Sequence, residues 1–127
     1  MNKRLLWTGR LCSGIAVLFL LFDAVIKVIN IPPVRESFSR LGYVTTVALG
    51  IGLLELGCLA LYLIPRTSAL GAVLFTGFLG GAVASHLRVG DPALTHVFFP
   101  LYVGALLWGG LLLRNEPLRG VAFREGR

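Results

Sequence analysis

Residues 11–31 read LCSGIAVLFLLFDAVIKVINI. The run is apolar almost throughout and lacks the in–out alternation of a barrel strand, so it reads as a helix that buries its own backbone hydrogen bonds. At ~1.5 Å per residue, about 20 residues cross a hydrocarbon core of ~30 Å. Three more runs of similar kind follow, at Val44–Ile64, Ser68–Leu87 and Val97–Leu113. Breakers separate them: Pro32-Pro33, Pro65, Gly90-Asp91-Pro92 and, beyond the last, Pro117. Pro100 falls in the opening turn of the fourth run, where a missing N–H costs little. The expected fold is all-α, a single-domain four-helix transmembrane bundle.

Composition agrees. Of 127 residues, 56% are hydrophobic and 14% charged, and the mean hydropathy is +0.82. A soluble domain this small needs a larger polar skin. The net charge of +6 does not point to nucleic acid, because the basic residues fall at the ends of apolar runs with no basic–aromatic patch. Cys12 and Cys58 have neither redox nor metal spacing. The first run follows Lys3, Arg4 and Arg10 but is too long for a signal-peptide core and contains Asp23 and Lys27, so it reads as a retained span.

The side of the membrane follows from Lys and Arg. Lys3, Arg4, Arg10, Arg66, Arg114, Arg119, Arg124 and Arg127 share the side of the termini, eight against Arg35, Arg40 and Arg88 on the other. The positive-inside rule then puts both termini in the cytoplasm of a multi-pass plasma-membrane protein. Trp7, Tyr62 and Trp108 are expected at the inner interface, Tyr43 and Tyr102 at the outer one.

Small residues mark expected close packing. Gly77 and Gly81 make a GxxxG on the third span, and Gly50, Gly57, Ala105 and Gly109 offer the same on its neighbours. The Gly77/Gly81 face serves either packing within the chain or a homodimer seam.

Ionisable groups inside the spans carry the functional signal, each costing ~2.5–3.5 kcal/mol on insertion scales. Asp23 and Lys27, four apart, share one helix face. Glu55 sits near the middle of the second span with no cation close in sequence. His86 and Arg88 close the third span, and Asp91 and His96 follow in its loop. Asp23, Lys27, Glu55, His86 and Arg88 are therefore expected to converge in the outer half. Glu55, Asp23 and His86 are the candidate proton-handling groups, Lys27 and Arg88 the candidate ligand-binding ones. The plainer readings are a register-fixing Asp23–Lys27 pair, an interfacial His86, a solvated His96 and an anchoring Arg88. Glu55 is structural if another helix brings it a cation; without one, it suits a relay or general acid, since a desolvated carboxyl tends to hold its proton.

No haem, zinc, nucleotide-loop or nucleophile-elbow pattern occurs. The chain resembles the DoxX-like family of small bacterial membrane proteins from about Gly14 to Asn115. The resemblance rests on LFDAVIK at 21–27, Leu41-Gly42-Tyr43, Gly52-Leu53-Leu54-Glu55, LIPRT at 63–67, GGAVASH at 80–86, Arg88 and Phe99-Pro100. It implies a four-helix transmembrane bundle and, through some relatives, membrane subunits of quinone-linked oxidoreductases or redox-stress complexes; it supplies no cofactor motif. Two functions stand open. One is a redox-associated subunit or small enzyme with a quinone-like ligand and a redox partner subunit. The other is a lipid or apolar small-molecule binding and assembly module without catalysis.

Overall fold

A computed structural model describes residues 2–122, so Arg124 and Arg127 of the charge count lie outside the described residues. Among these there is no strand. The helices are α1 (Lys3–Ile29), α2 (Pro32–Arg40), α3 (Val47–Leu63), α4 (Ser68–Arg88), α5 (Phe99–Arg114) and α6 (Glu116–Ala122), with a π-helical turn at Ala93–Val97 leading into α5. Three stretches are long and apolar enough to cross a membrane: α1, α4 and the run Ala93–Arg114. α3 is apolar but shorter, at 17 residues.

Boundaries depart from expectation where caps act. α1 starts eight residues before Leu11, because the Asn2 side chain accepts from the Arg4 N–H and caps the basic segment as helix. It ends at Asn30, whose left-handed backbone (φ 61°) returns its N–H to Ile26. Pro32 and Pro33 do more than break a helix. They sit in the first turn of α2, with Ile31 extended ahead of them as a residue before proline must be. α2 itself was not expected; its polar composition hid two buried residues one turn apart, Val34 and Phe38, which pack with Ala48 against Ile26 and Ile51. The fourth run begins at Ala93, where Phe98 N–H bonds Ala93 O across the π-helical turn.

α1 packs against α3 and α5, and α4 against the same two. The seams are set by glycines whose missing side chains are replaced by neighbouring backbone. A Cβ on Gly71 would lie 2.5 Å from Tyr62 N, and one on Gly9 would lie 2.8 Å from Gly110 O. Without a hydrophobic drive between helices in lipid, such close backbone approach supplies the contact. Gly71 is one of the small residues of the third span expected to pack closely; at Gly50, Gly57, Gly77, Gly81 or Gly109 a Cβ would meet nothing within 4 Å among the described residues, and Ala105 is exposed. A GxxxG shows that a close approach is allowed, not that a neighbour takes it.

The exterior is the apolar side. Leu18, Phe22, Leu53, Val73 and Leu101 all face outward, Leu18 at 70% exposure, while Ser13, Glu55 and Ser68 are buried. That inversion fits a hydrocarbon surround and not water. One belt residue moves inside: Tyr62 is fully buried, and its hydroxyl donates to Leu107 O at 2.6 Å. Its place beside Gly71 makes it core rather than interface.

Candidate functional site

The site begins with the spacing of Asp23 and Lys27. Four residues apart on α1, they form an ion pair, Nζ to Oδ2 at 2.6 Å. The same ammonium reaches across to α3, 3.2 Å from Oε1 of Glu55. Gly52 makes that reach short. It sits one turn before Glu55, and a Cβ there would lie 3.0 Å from both Ala24 O and Lys27 Cβ, so any larger residue would push α1 back from α3. A cation distant in sequence is thus supplied by the fold.

The pairing is incomplete. Glu55 is 0% exposed, yet among the described residues its Oε2 is buried without a hydrogen-bond partner. One ammonium serves two carboxyl groups, and the three charges do not cancel unless a proton joins them. The far side of Nζ faces α4, 5.2 Å from the centre of the Phe78 ring, a cation–π contact.

Beyond Lys27 lies a cleft of about 390 Å³ between α1, α2, α3 and α4. Its walls are mostly apolar, with Phe38, Leu41, Leu54 and Phe78 prominent; Asp23, Lys27, Ser37, Tyr43, Ser85 and His86 supply polar groups. Gly77 and Gly81 also line it, so the glycine row on α4 makes room in the cleft and packs against no other described helix of the chain. Glu55 stands behind Lys27, off the lining.

At the C-terminal end of α4 three elements are tied together by Asp91. Its Oδ1 pairs with Arg40 of α2, and its Oδ2 lies 2.5 Å from Nδ1 of His86. The Arg40 guanidinium, then the His86 ring, hold the Asp91 carboxyl at about 2, below the usual 3.8. An ionised carboxylate only accepts, so Nδ1 of His86 carries the hydrogen and a neutral ring keeps Nε2 as acceptor. The His96 ring stands edge-on to His86 at 5.7 Å, while His96 itself is exposed.

The structure brings Asp23, Lys27 and Glu55 together and puts His86 on the same cleft as the first two. Arg88 goes elsewhere. Its Nη2 donates to Leu41 O at 2.8 Å and lies where a Cβ on Gly42 would fall, so it fastens the α2–α3 loop to the end of α4. Arg40 enters the sequence reading as a topology signal, and Tyr43 as a belt residue and part of the family resemblance; neither spacing nor composition reveals that Tyr43 OH meets Ser85 Oγ at 2.7 Å across the cleft.

The model of one family, described as DoxX-like, matches residues 11–110. The chain belongs to the DoxX-like family. No curated protein and no solved structure matches it. In this DoxX-like chain the matched stretch holds all of Asp23, Lys27, Glu55, His86 and Asp91, together with the helices that form the cleft. Family membership and the apolar exterior together make this a membrane protein.

Proposed function

We infer that the protein is a multi-pass plasma-membrane protein, a four-helix transmembrane bundle with both termini in the cytoplasm. In this reading its outer-half cleft holds an apolar molecule with a hydrogen-bond-accepting head, of the quinone class. The observation that carries it is Lys27. One ammonium, shared by two carboxyl groups, one of them wholly buried with an unpartnered oxygen, borders an apolar cleft. A flat ring would lie against Phe78 and Tyr43, with a carbonyl oxygen accepting from Lys27. Asp23 and Glu55 hold one exchangeable proton beside it, so the site gives or takes a proton as the bound head changes its charge. Electrons come from a redox partner subunit, which makes the chain a membrane subunit of a redox complex. The alternative, a lipid or apolar small-molecule binding module without catalysis, uses the same cleft without the proton.

Native mass spectrometry of the protein taken from its membrane in mild detergent tests this. A retained quinone adduct, lost in Gly81→Leu, is the expected result, because position 81 opens onto empty space in the cleft. Glu55→Gln separates the two readings: binding survives in both, while ligand-linked proton uptake disappears only in the first. A lipid adduct and no quinone would favour the alternative. The same spectra report whether a second copy is bound over the Gly77/Gly81 face.

A further inference from the structure

We propose a second site, at the end of the molecule that carries both termini: a binding site for the phosphate of an anionic phospholipid, formed by Arg10 and Arg114. It is separate from the Lys27 cleft and stands independently of the function proposed for that cleft. The two arginines border a cleft of about 260 Å³ between α1, α3 and α5. The close crossing of α1 and α5 at Gly9 and Gly110 brings Arg114, the last residue of α5, beside Ser13.

The hydrogen bonds there run in one direction. Tyr62 OH donates to Leu107 O at 2.6 Å, so Ser13 Oγ donates to Tyr62 at 2.9 Å and accepts from Arg114 Nε at 3.1 Å. Ser13 and Tyr62 are buried, and the guanidinium lies 5.2 Å over the Tyr62 ring. The arginine is therefore held by its Nε and its flat face, and the remaining N–H groups of its fork are left for an acceptor. Capping α5 does not occupy them, because Arg119 serves the terminal carbonyls of Leu112 and Leu113. Among the described residues no carboxylate lies within ion-pair distance of Arg10 or Arg114.

Arg10 lies over the exposed Trp7 ring at 5.1 Å, an arrangement suited to the headgroup level. Below the arginines the cleft wall turns apolar, through Val17 and the exposed Leu63. Two cations above an apolar wall that faces outward match a phosphodiester with its acyl chain. A soluble anion would leave that wall without a use.

The test is native mass spectrometry of the full chain in mild detergent, titrated with phosphatidylglycerol or phosphatidylcholine of the same chains. Phosphatidylglycerol should bind at least about tenfold more tightly, because the choline cation of phosphatidylcholine offsets the phosphate charge and is repelled by the two arginines. Arg10→Gln with Arg114→Gln should erase that preference, and Arg66→Gln, exposed outside the cleft, should leave it intact. Gly14→Trp fills the cleft from a position with nothing within 4 Å and should weaken binding without changing charge. Should Arg114→Gln not fold, Arg10→Gln and Gly14→Trp decide alone. Equal binding of the two lipids, an equal loss in Arg66→Gln, or displacement of the lipid by equimolar inorganic phosphate would each overturn the lipid assignment.

Discussion

Removing Lys27 and removing Glu55 should damage the protein very unequally. Lys27 Nζ is 2.6 Å from Asp23 and 3.2 Å from Glu55. Lys27→Met deletes both contacts and leaves a fully buried carboxyl group with no cation. Breaking a buried pair in this way costs ~3–5 kcal/mol. Glu55→Gln leaves the ammonium with its nearer partner, Asp23, and keeps an oxygen to accept from it. Since Oε2 is already unpartnered, placing an NH2 there exchanges one orphan for another, and the loss is the charged part of a single contact, ~1 kcal/mol. For a chain of this length 1 kcal/mol moves the melting temperature by roughly 3–5 °C. Thermal unfolding in detergent, followed by circular dichroism, should then fall by about 10–20 °C for Lys27→Met and about 5 °C for Glu55→Gln. The double variant should recover most of the larger loss, because the carboxyl that remains, Asp23, is 28% exposed. Equal losses in the two single variants would refute the shared ammonium, as would a harmless Lys27→Met.

Gly71→Val should destabilise by ~1–3 kcal/mol or more, since its Cβ would meet Tyr62 backbone at 2.5 Å, whereas Gly77→Ala should leave the melting temperature unchanged. The Asp91 carboxyl sits at about 2 against 3.8 unperturbed. A depressed acid contributes stability that is complete above the unfolded value and lost as pH falls through the folded one. Melting curves of the wild type and Asp91→Asn should therefore differ at pH 4 and above and converge towards pH 2; a gap that closes between pH 5 and 7 would place the titration elsewhere. Arg88→Gln should speed amide exchange across residues 41–46, the Leu41 and Tyr43 rim of the cleft included, by loosening the bond to Leu41 O, with little change at Asp23, Lys27 and Glu55.

The apolar helices are legible because hydrocarbon demands unbroken apolar runs, and the Asp23–Lys27 pair because helical spacing alone creates it. What could not be read depended on a partner distant in sequence. Glu55 found its cation through Gly52, which looks like any other glycine until α1 is seen lying on it. α2 was invisible because two buried residues in nine give little signal until Ile26, Ala48 and Ile51 surround them. Charge alone leaves Arg88 open between binding a ligand and anchoring the helix end; the bond it makes to the Leu41 carbonyl depends on a loop 47 residues away in sequence.

The most direct measurement of the central claim is photolabelling with an azido-quinone in native membranes, mapped by peptide mass spectrometry. The account predicts adducts at Leu54, Phe78 and Ser85, which line the cleft beside Lys27, and their loss in Gly81→Leu. Labelling confined to the outward-facing Leu18, Phe22 and Val73, unchanged by Gly81→Leu, would contradict it.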